Sequence, residues 1–255
     1  MPKGADILDY IFKKDINIPH WPMFNKTTWH MRKPSADNIS NIKDIVALGY
    51  KTLINKLLGG DIDFDNEASM QMQFGSILKT IGELYQYKHM DKFHIELEGY
   101  FNLNQKTIKS KTNIARIDIL MCLGEPYNYA TCAIELKYFK STNKREPNNR
   151  YDVFSDIHNL ETYRKNNIDL AYFLIITDDK HYHSNDKYSK KTSDFDFRHG
   201  SKYEAGTILQ YKTDKPYGTP ISLHNSYNFE WKEYNTYRAK GSKHKDIYVM
   251  LLAIP

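Results

Sequence analysis

The sequence has little cysteine and no long apolar run, and each shortage narrows the possibilities. Cysteine occurs only at Cys122 and Cys132 in 255 residues, both within apolar stretches. A disulfide framework is therefore not the expectation; two buried free thiols in a reducing, intracellular setting are. Two cysteines without nearby histidine ligands do not make a zinc site either. No segment approaches the run of about 18 apolar residues that crosses a bilayer. The opening Met1-Pro2-Lys3-Gly4-Ala5-Asp6 lacks the apolar core of a signal peptide. No Gly-x-x-x-x-Gly-Lys-Ser/Thr run occurs, so a P-loop ATPase is left out. No membrane is expected as a partner, and the expected location is the cytoplasm.

What is present suits a folded chain. Hydrophobic residues make up 40% and aromatic residues 14%, enough for a real core in one generous domain or a core with elaborations. The expected division is 1–65, an irregular and partly helical region; 66–178, a core; and 179–255, an extension that completes the sheet. Within the first region Ser40 to Leu58 reads as a helix stopped by Gly59-Gly60. Asn66 caps the next, from Glu67 to about Tyr87, with Met70, Phe74, Ile77, Leu78, Ile81 and Leu84 as its apolar stripe. Residues 93–101 alternate with period two and read as a strand. Residues 150–165 read as a helix, and 169–177 as a buried strand. The order is helix, three strands, helix, strand. From Asp178 to Ser193 a mobile polar excursion is expected, followed by further strands around Thr207, Ile221 and Ile247.

The chemistry-bearing stretch is Arg116-Ile-Asp-Ile-Leu120 followed by Ala133-Ile-Glu-Leu-Lys137. A hairpin folded between Pro126 and Tyr127 sets Asp118 directly opposite Glu135. Opposed residues of an antiparallel pair have Cβ atoms about 4.5–5.5 Å apart and share a face. Lys137, two residues beyond Glu135, shares it too. Charged residues on a hairpin are commonly a solvated face joined by cross-strand ion pairs. Here the neighbours are unusually apolar, and two adjacent buried acids call for a compensating cation. On a helical wheel advancing about 100° per residue, Glu67 falls on the inward face beside Phe74 and Leu78. Glu83 falls on the outward face. Glu67 is the candidate for an acid reaching the site, or else an ordinary first-turn acid favoured by the helix dipole.

With these residues and this element order, residues 66–178 resemble the PD-(D/E)xK nuclease superfamily. Asp118 stands for the first acid, Glu135 for the second and Lys137 for the lysine; Ile117 stands where the family commonly has proline. The resemblance implies an α/β, restriction-endonuclease-like αβββαβ core, a central mixed sheet flanked by helices. It implies a hydrolase cutting DNA to 5′-phosphate ends with Mg²⁺, for which Mn²⁺ can substitute. Asp118, Glu135 and the Leu136 carbonyl are then the metal ligands, and Asp118, Glu135, Lys137 and Glu67 the catalytic set. A Type II-like restriction endonuclease acting as a homodimer on double-stranded DNA, nucleoid-associated when bound, is the leading form. A repair, recombination or mobile-element nuclease shares the core, and a non-catalytic DNA-binding module is the alternative of another class. On the second helix Asp156, Asn159 and Tyr163 share a face. Asn159-x-x-x-Tyr163 resembles the Gln-x-x-x-Tyr of the RecB-like branch, and the alternative is the polar side of an amphipathic helix.

Lysine and arginine exceed aspartate and glutamate by 36 to 31, a net charge of +5, which suits a polyanion without requiring one. Lys106 and Lys109 lie in a polar connection after the first strand. Lys187, Lys190 and Lys191 form a further group; Arg198, His199 and Lys202 another; Lys240, Lys243, His244 and Lys245 a third. With Asn159 and Tyr163, residues 106, 109, 190, 191, 198, 202, 243 and 245 are the candidate DNA contacts. For any single group a solvated lysine surface is the competing account.

Overall fold

The computed structural model describes residues 33–103, 113–125, 128–142, 145–184, 189–235 and 246–255. Helix α1 (Ala36–Gly59) starts at Ser35, whose side chain accepts from Asn38 N, and stops at Gly60, which takes the left-handed conformation with φ 77°. Helix α2 (Glu67–Glu83) opens on a reciprocal cap: Asn66 accepts from Ser69 N, and Ser69 Oγ accepts from Asn66 N. Strands β1 (Lys92–Asn102), β2 (Ile114–Glu125) and β3 (Asn128–Phe139) follow, β2 pairing antiparallel with each of the other two. Helix α3 (Glu146–Lys165) crosses over to β4 (Leu170–Thr177), which pairs parallel with β3.

The remaining elements are short α4 (Lys180–Ser184), β5 (Lys202–Tyr203), β6 (Ile208–Leu209), β7 (Ile221–Ser222), β8 (Tyr227–Asn228), β9 (Lys232–Asn235) and long β10 (Asp246–Ile254). The central sheet is mixed, with strand order β1-β2-β3-β4-β10-β9. Helices cover both faces. On one, Ile42, Ile45, Leu53, Met70, Phe74 and Leu78 of α1 and α2 meet Ile119, Met121, Ile134 and Leu136. On the other, Val153, Phe154, Ile157 and Leu160 of α3 meet Leu120, Cys122, Ala133 and Phe173. Cys122 and Cys132 are free and buried, in the cores on opposite faces. Among the described residues no helix is long and apolar enough to cross a membrane.

Helix α1, from the region before residue 66, packs with α2 in the core beneath the sheet. Several expectations change. Asp178 to Ser193 is not simply an excursion: Tyr182 of α4 is buried, stacked on Phe197, and Thr192 is buried. The largest change concerns α3. Phe195, Phe197, Leu209, Ile221, Leu223, Phe229 and Trp231 pack against its outer side. The helix is thus sandwiched, and the side chains that a lone amphipathic helix would leave in water are buried. Arg150, fully buried, lies beside the stacked pair of Tyr182 and Phe197, its guanidinium carbon 5.6 and 5.5 Å from their ring centroids. Glu161, 1% exposed, accepts from His224 N, Asn225 N and Tyr227 Oη.

Candidate active site

The β2–β3 ladder runs from Glu125 opposite Asn128 to Ile119 opposite Ile134. The next positions in that register are Asp118 and Glu135, where regular pairing stops. Beyond this point β2 continues against β1 and β3 against β4. The β1 ladder is also interrupted here: Leu97 pairs with Ile119 and Gly99 with Ile117, while the intervening Glu98 has φ 55°. A positive φ at a glutamate inside a strand is a locally strained conformation. Its carboxylate is held by Arg116 Nε at 2.6 Å.

Asp118 fills the parting of the strands. Its Oδ2 accepts from Leu136 N at 2.6 Å, taking the place of a ladder carbonyl. Its own carbonyl accepts from Gln71 Nε2 at 2.6 Å. Gln71 lies one turn after Glu67, so one face of α2 serves both residues of the site. Burial pushes the Asp118 carboxyl up to about 6; the Lys137 ammonium and the Leu136 N–H oppose that rise, and Asp156 and Glu67 add to it.

Glu135 is 5% exposed, and its Oε1 accepts from the Tyr163 hydroxyl at 3.3 Å. Lys137 is the meeting point of both layers. Its Nζ lies 2.8 Å from Asp156 Oδ2 on α3 and 3.4 Å from Glu67 Oε1 on α2, and it donates to the Leu136 carbonyl at 2.8 Å. Burial works against the ammonium, but Asp156, then Glu67, Asp118 and Glu135, override it and hold its pKa well above the usual lysine value. Burial, with Glu135 and Asp156 nearby, pushes the Tyr163 hydroxyl far up, so it remains a proton donor.

The structure therefore gathers Asp118, Glu135, Lys137, Glu67 and the Leu136 carbonyl. Glu83 stands apart, half exposed and paired with Lys79 at 3.8 Å. Two participants had no assigned role: Asp156, 1% exposed, and Gln71. Asp156 carried a signal in its alignment with Asn159 and Tyr163 on one face of α3. Gln71 carried only its i, i+4 relation to Glu67. Asn159 and Tyr163, expected as substrate contacts, are each 2% exposed. Tyr163 is instead a support for Glu135, because the sheet covers that face of the helix.

The expected cation contacts divide. Lys106, Lys109, Lys243 and Lys245 lie outside the described residues, as do Lys187, Lys240 and His244. Lys190, Lys191 and Lys202 are exposed. Arg198 is bound to Asp196 through Nε at 2.9 Å and Nη2 at 2.7 Å, which turns it inward. A cavity of about 870 Å³ opens onto Lys137 and Glu67; Lys140 and Arg145 are its further cations, and Asp65 and Asp152 its further acids. Asp118 and Glu135 lie behind Lys137 and do not line that cavity.

No three of the site's acids have carboxylate oxygens all within 4.8 Å of one another; among the described residues only His158, Glu161 and His224 form such a group. Glu161 there already receives two backbone N–H groups, the Asn225 amide and the Tyr227 hydroxyl. Those donors meet its charge, and it holds the 222–227 loop onto α3. The Lys137 site has a different imbalance: four carboxylates face one ammonium. Its donors are hard oxygens, the kind that Mg²⁺ takes. A divalent cation would offset the charge that burial disfavours on Asp118, so the chemistry of these donors suits such an ion. Comparison with protein-family models, with curated proteins and with solved structures found no match.

Proposed function

We propose that this chain is a divalent-metal-dependent nuclease hydrolysing DNA phosphodiester bonds, with Asp118, Glu135, Lys137 and Glu67 as its working residues. One observation carries the reading. Two acids occupy the next positions after Ile119 and Ile134, where the β2–β3 ladder parts, and a lysine two residues on is shared by acids from both flanking helices. The order α2-β1-β2-β3-α3-β4 supports placing that motif in a restriction-endonuclease-like core.

Asp118, Glu135 and the Leu136 carbonyl would hold Mg²⁺ or Mn²⁺, with Glu67 as a further acid. When bound, the ion supplies Lewis-acid activation of water and of a phosphate oxygen. The chain's own groups do the rest. Tyr163 donates to Glu135 and fixes its carboxylate. Gln71 and Leu136 N fix Asp118. Lys137, kept protonated, is placed to donate to a phosphate oxygen or orient the attacking water. The carbonyl it contacts is the same oxygen assigned to the metal, so in the metal-free protein the ammonium is the cation that faces these acids.

The finer form is a Type II-like restriction endonuclease that leaves 5′-phosphates and acts on duplex DNA as a homodimer. Purified protein incubated with unmethylated linear and supercoiled DNA, with Mg²⁺ or EDTA, tests both levels. Discrete Mg²⁺-dependent fragments, lost in Glu135→Ala and Lys137→Ala, are the expected result. A smear would retain the nuclease and remove the restriction form. DNA left intact under every condition would refute the catalytic reading.

A further inference from the structure

The cavity above Lys137 has a built aromatic wall. Tyr217 lines it and is 51% exposed, although it is a large aromatic ring. It stands edge-on against Tyr151, with centroids 5.6 Å apart and planes at 88°. Tyr151 is 6% exposed and packs in turn against Phe195 and Tyr211 at 5.4 and 5.6 Å. The chain beyond Tyr217 is pressed onto that ring. A Cβ at Gly218 would come within 2.1 Å of Tyr151 Cζ and 2.4 Å of its Oη, so a larger residue would have to push the segment off. Tyr217 is thus held in position from behind while its own ring remains open to solvent.

The cavity lining mixes Lys137, Lys140 and Arg145 with Asp65, Glu67 and Asp152, and Lys140 and Arg145 are the cations there outside the Lys137 cluster. Lys140 pairs only loosely with Asp65, at 3.9 Å and with Asp65 fully exposed in its side chain (99%), so it is available to a phosphate. The working residues are recessed: Lys137 is 12% exposed and Asp156 1% in their side chains. A phosphate must enter the cavity to reach them. Bases in an intact duplex have their faces covered by their neighbours, whereas an unpaired base offers a face to an aromatic ring.

We infer that the strand enters this cavity locally unpaired, with one base stacked on Tyr217 and flanking phosphates on Lys140 and Arg145. The inference rests on the nuclease reading of the same site and names its substrate as DNA opened at the point of cutting, or single-stranded DNA. Cavity volume supports it, since about 870 Å³ is within the ~300–1,000 Å³ that encloses a ligand of nucleotide size.

The test measures binding separately from cutting. Fluorescein-labelled probes of one sequence are titrated in EDTA: a fully paired duplex, the same duplex with a central mismatched bubble, and the single strand. Wild type should bind the bubble and the single strand more tightly than the paired duplex. Tyr217→Ala should weaken those two by about 5–100-fold, the loss expected for one base stack, and leave the paired duplex unchanged; Tyr217→Phe should bind as wild type. A 2-aminopurine in the bubble should be quenched by wild type and not by Tyr217→Ala. Tyr217→Leu, which keeps bulk against Tyr151, replaces the alanine variant if that one melts early. Equal binding of all three probes, indifferent to Tyr217, would overturn this inference and leave the nuclease reading standing. No binding of any probe by wild type, together with no cutting, would sink both.

Discussion

The Lys137 ammonium lies 2.8 Å from Asp156 Oδ2, joining the last motif position on β3 to a buried acid of α3. Asp156 is 1% exposed in its side chain, and Lys137 12%. Such a pair is hard to break from one side, because the surviving charge stays out of water. Lys137→Met should therefore destabilise the metal-free protein by about 3–5 kcal/mol. Lys137→Met combined with Asp156→Asn should recover much of that loss. Urea denaturation of the four proteins measures the coupling; strictly additive losses would mean that the pair is not the structural link described.

Tyr163 supports Glu135 from beneath, through a hydroxyl 3.3 Å from Oε1. Removing that hydroxyl alone keeps the ring packed. Tyr163→Phe should cost about 1–1.5 kcal/mol of stability. If Glu135 is a metal ligand, it should also raise the Mg²⁺ concentration for half-maximal cleavage by about 10–100-fold. The Mg²⁺ titration of cleavage is the measurement. An unchanged midpoint would detach Tyr163 from the site.

Burial raises the Asp118 carboxyl from 3.8 to about 6, and the sign of its effect on stability follows. The folded protein binds this proton more tightly than the unfolded chain, so between those values stability falls as pH rises. The cost is absent below pH 3.8 and fully present above about 6, where it is on the order of 2–3 kcal/mol. Asp118→Asn keeps an acceptor for Leu136 N and removes the charge. Its stability advantage over wild type, without divalent ions, should appear across that window and persist at neutral pH. Parallel melting curves against pH test this, and a constant offset at all pH values would contradict the assignment.

Glu161 anchors the C-terminal segment to α3 through the N–H groups of His224 and Asn225 and the Tyr227 hydroxyl, at 2.7–3.0 Å. Glu161→Ala leaves the buried Tyr227 hydroxyl and the partly covered N–H groups of His224 and Asn225 without their acceptor. It should cost about 3–5 kcal/mol and open the 222–227 loop to limited proteolysis. Cleavage resistance equal to wild type would show that the loop is held by its aromatic residues instead.

How far the sequence reached is clearest by comparing β3 with α3. Along the hairpin, side chains alternate strictly and the turn fixes the register. Locating the fold between residues 126 and 127 was therefore enough to give the register of the ladder up to Ile119 opposite Ile134, after which Asp118 and Glu135 come next, and Lys137 followed from the period of two. For Glu67 a helical wheel gave the inward face but left open whether it was a site acid or an ordinary first-turn acid, which its contact with Lys137 decides. The register and the helix face are local relations, and the sequence by itself determined them. What α3 presents is decided elsewhere. Asp156, Asn159 and Tyr163 read as one polar face, for substrate or for water, yet the sheet covers that face, while residues 195–231 cover the other side and bury Glu161 there. No local pattern announces a helix covered on both sides, because the covering segments are distant in the chain and their own strands are only two residues long. Only the tertiary structure brings Asp156 to Lys137, Tyr163 to Glu135 and Tyr217 to the cavity above them. Burial, which raises Asp118 and ties these charges together, belongs to the packed layers and to no single stretch of sequence.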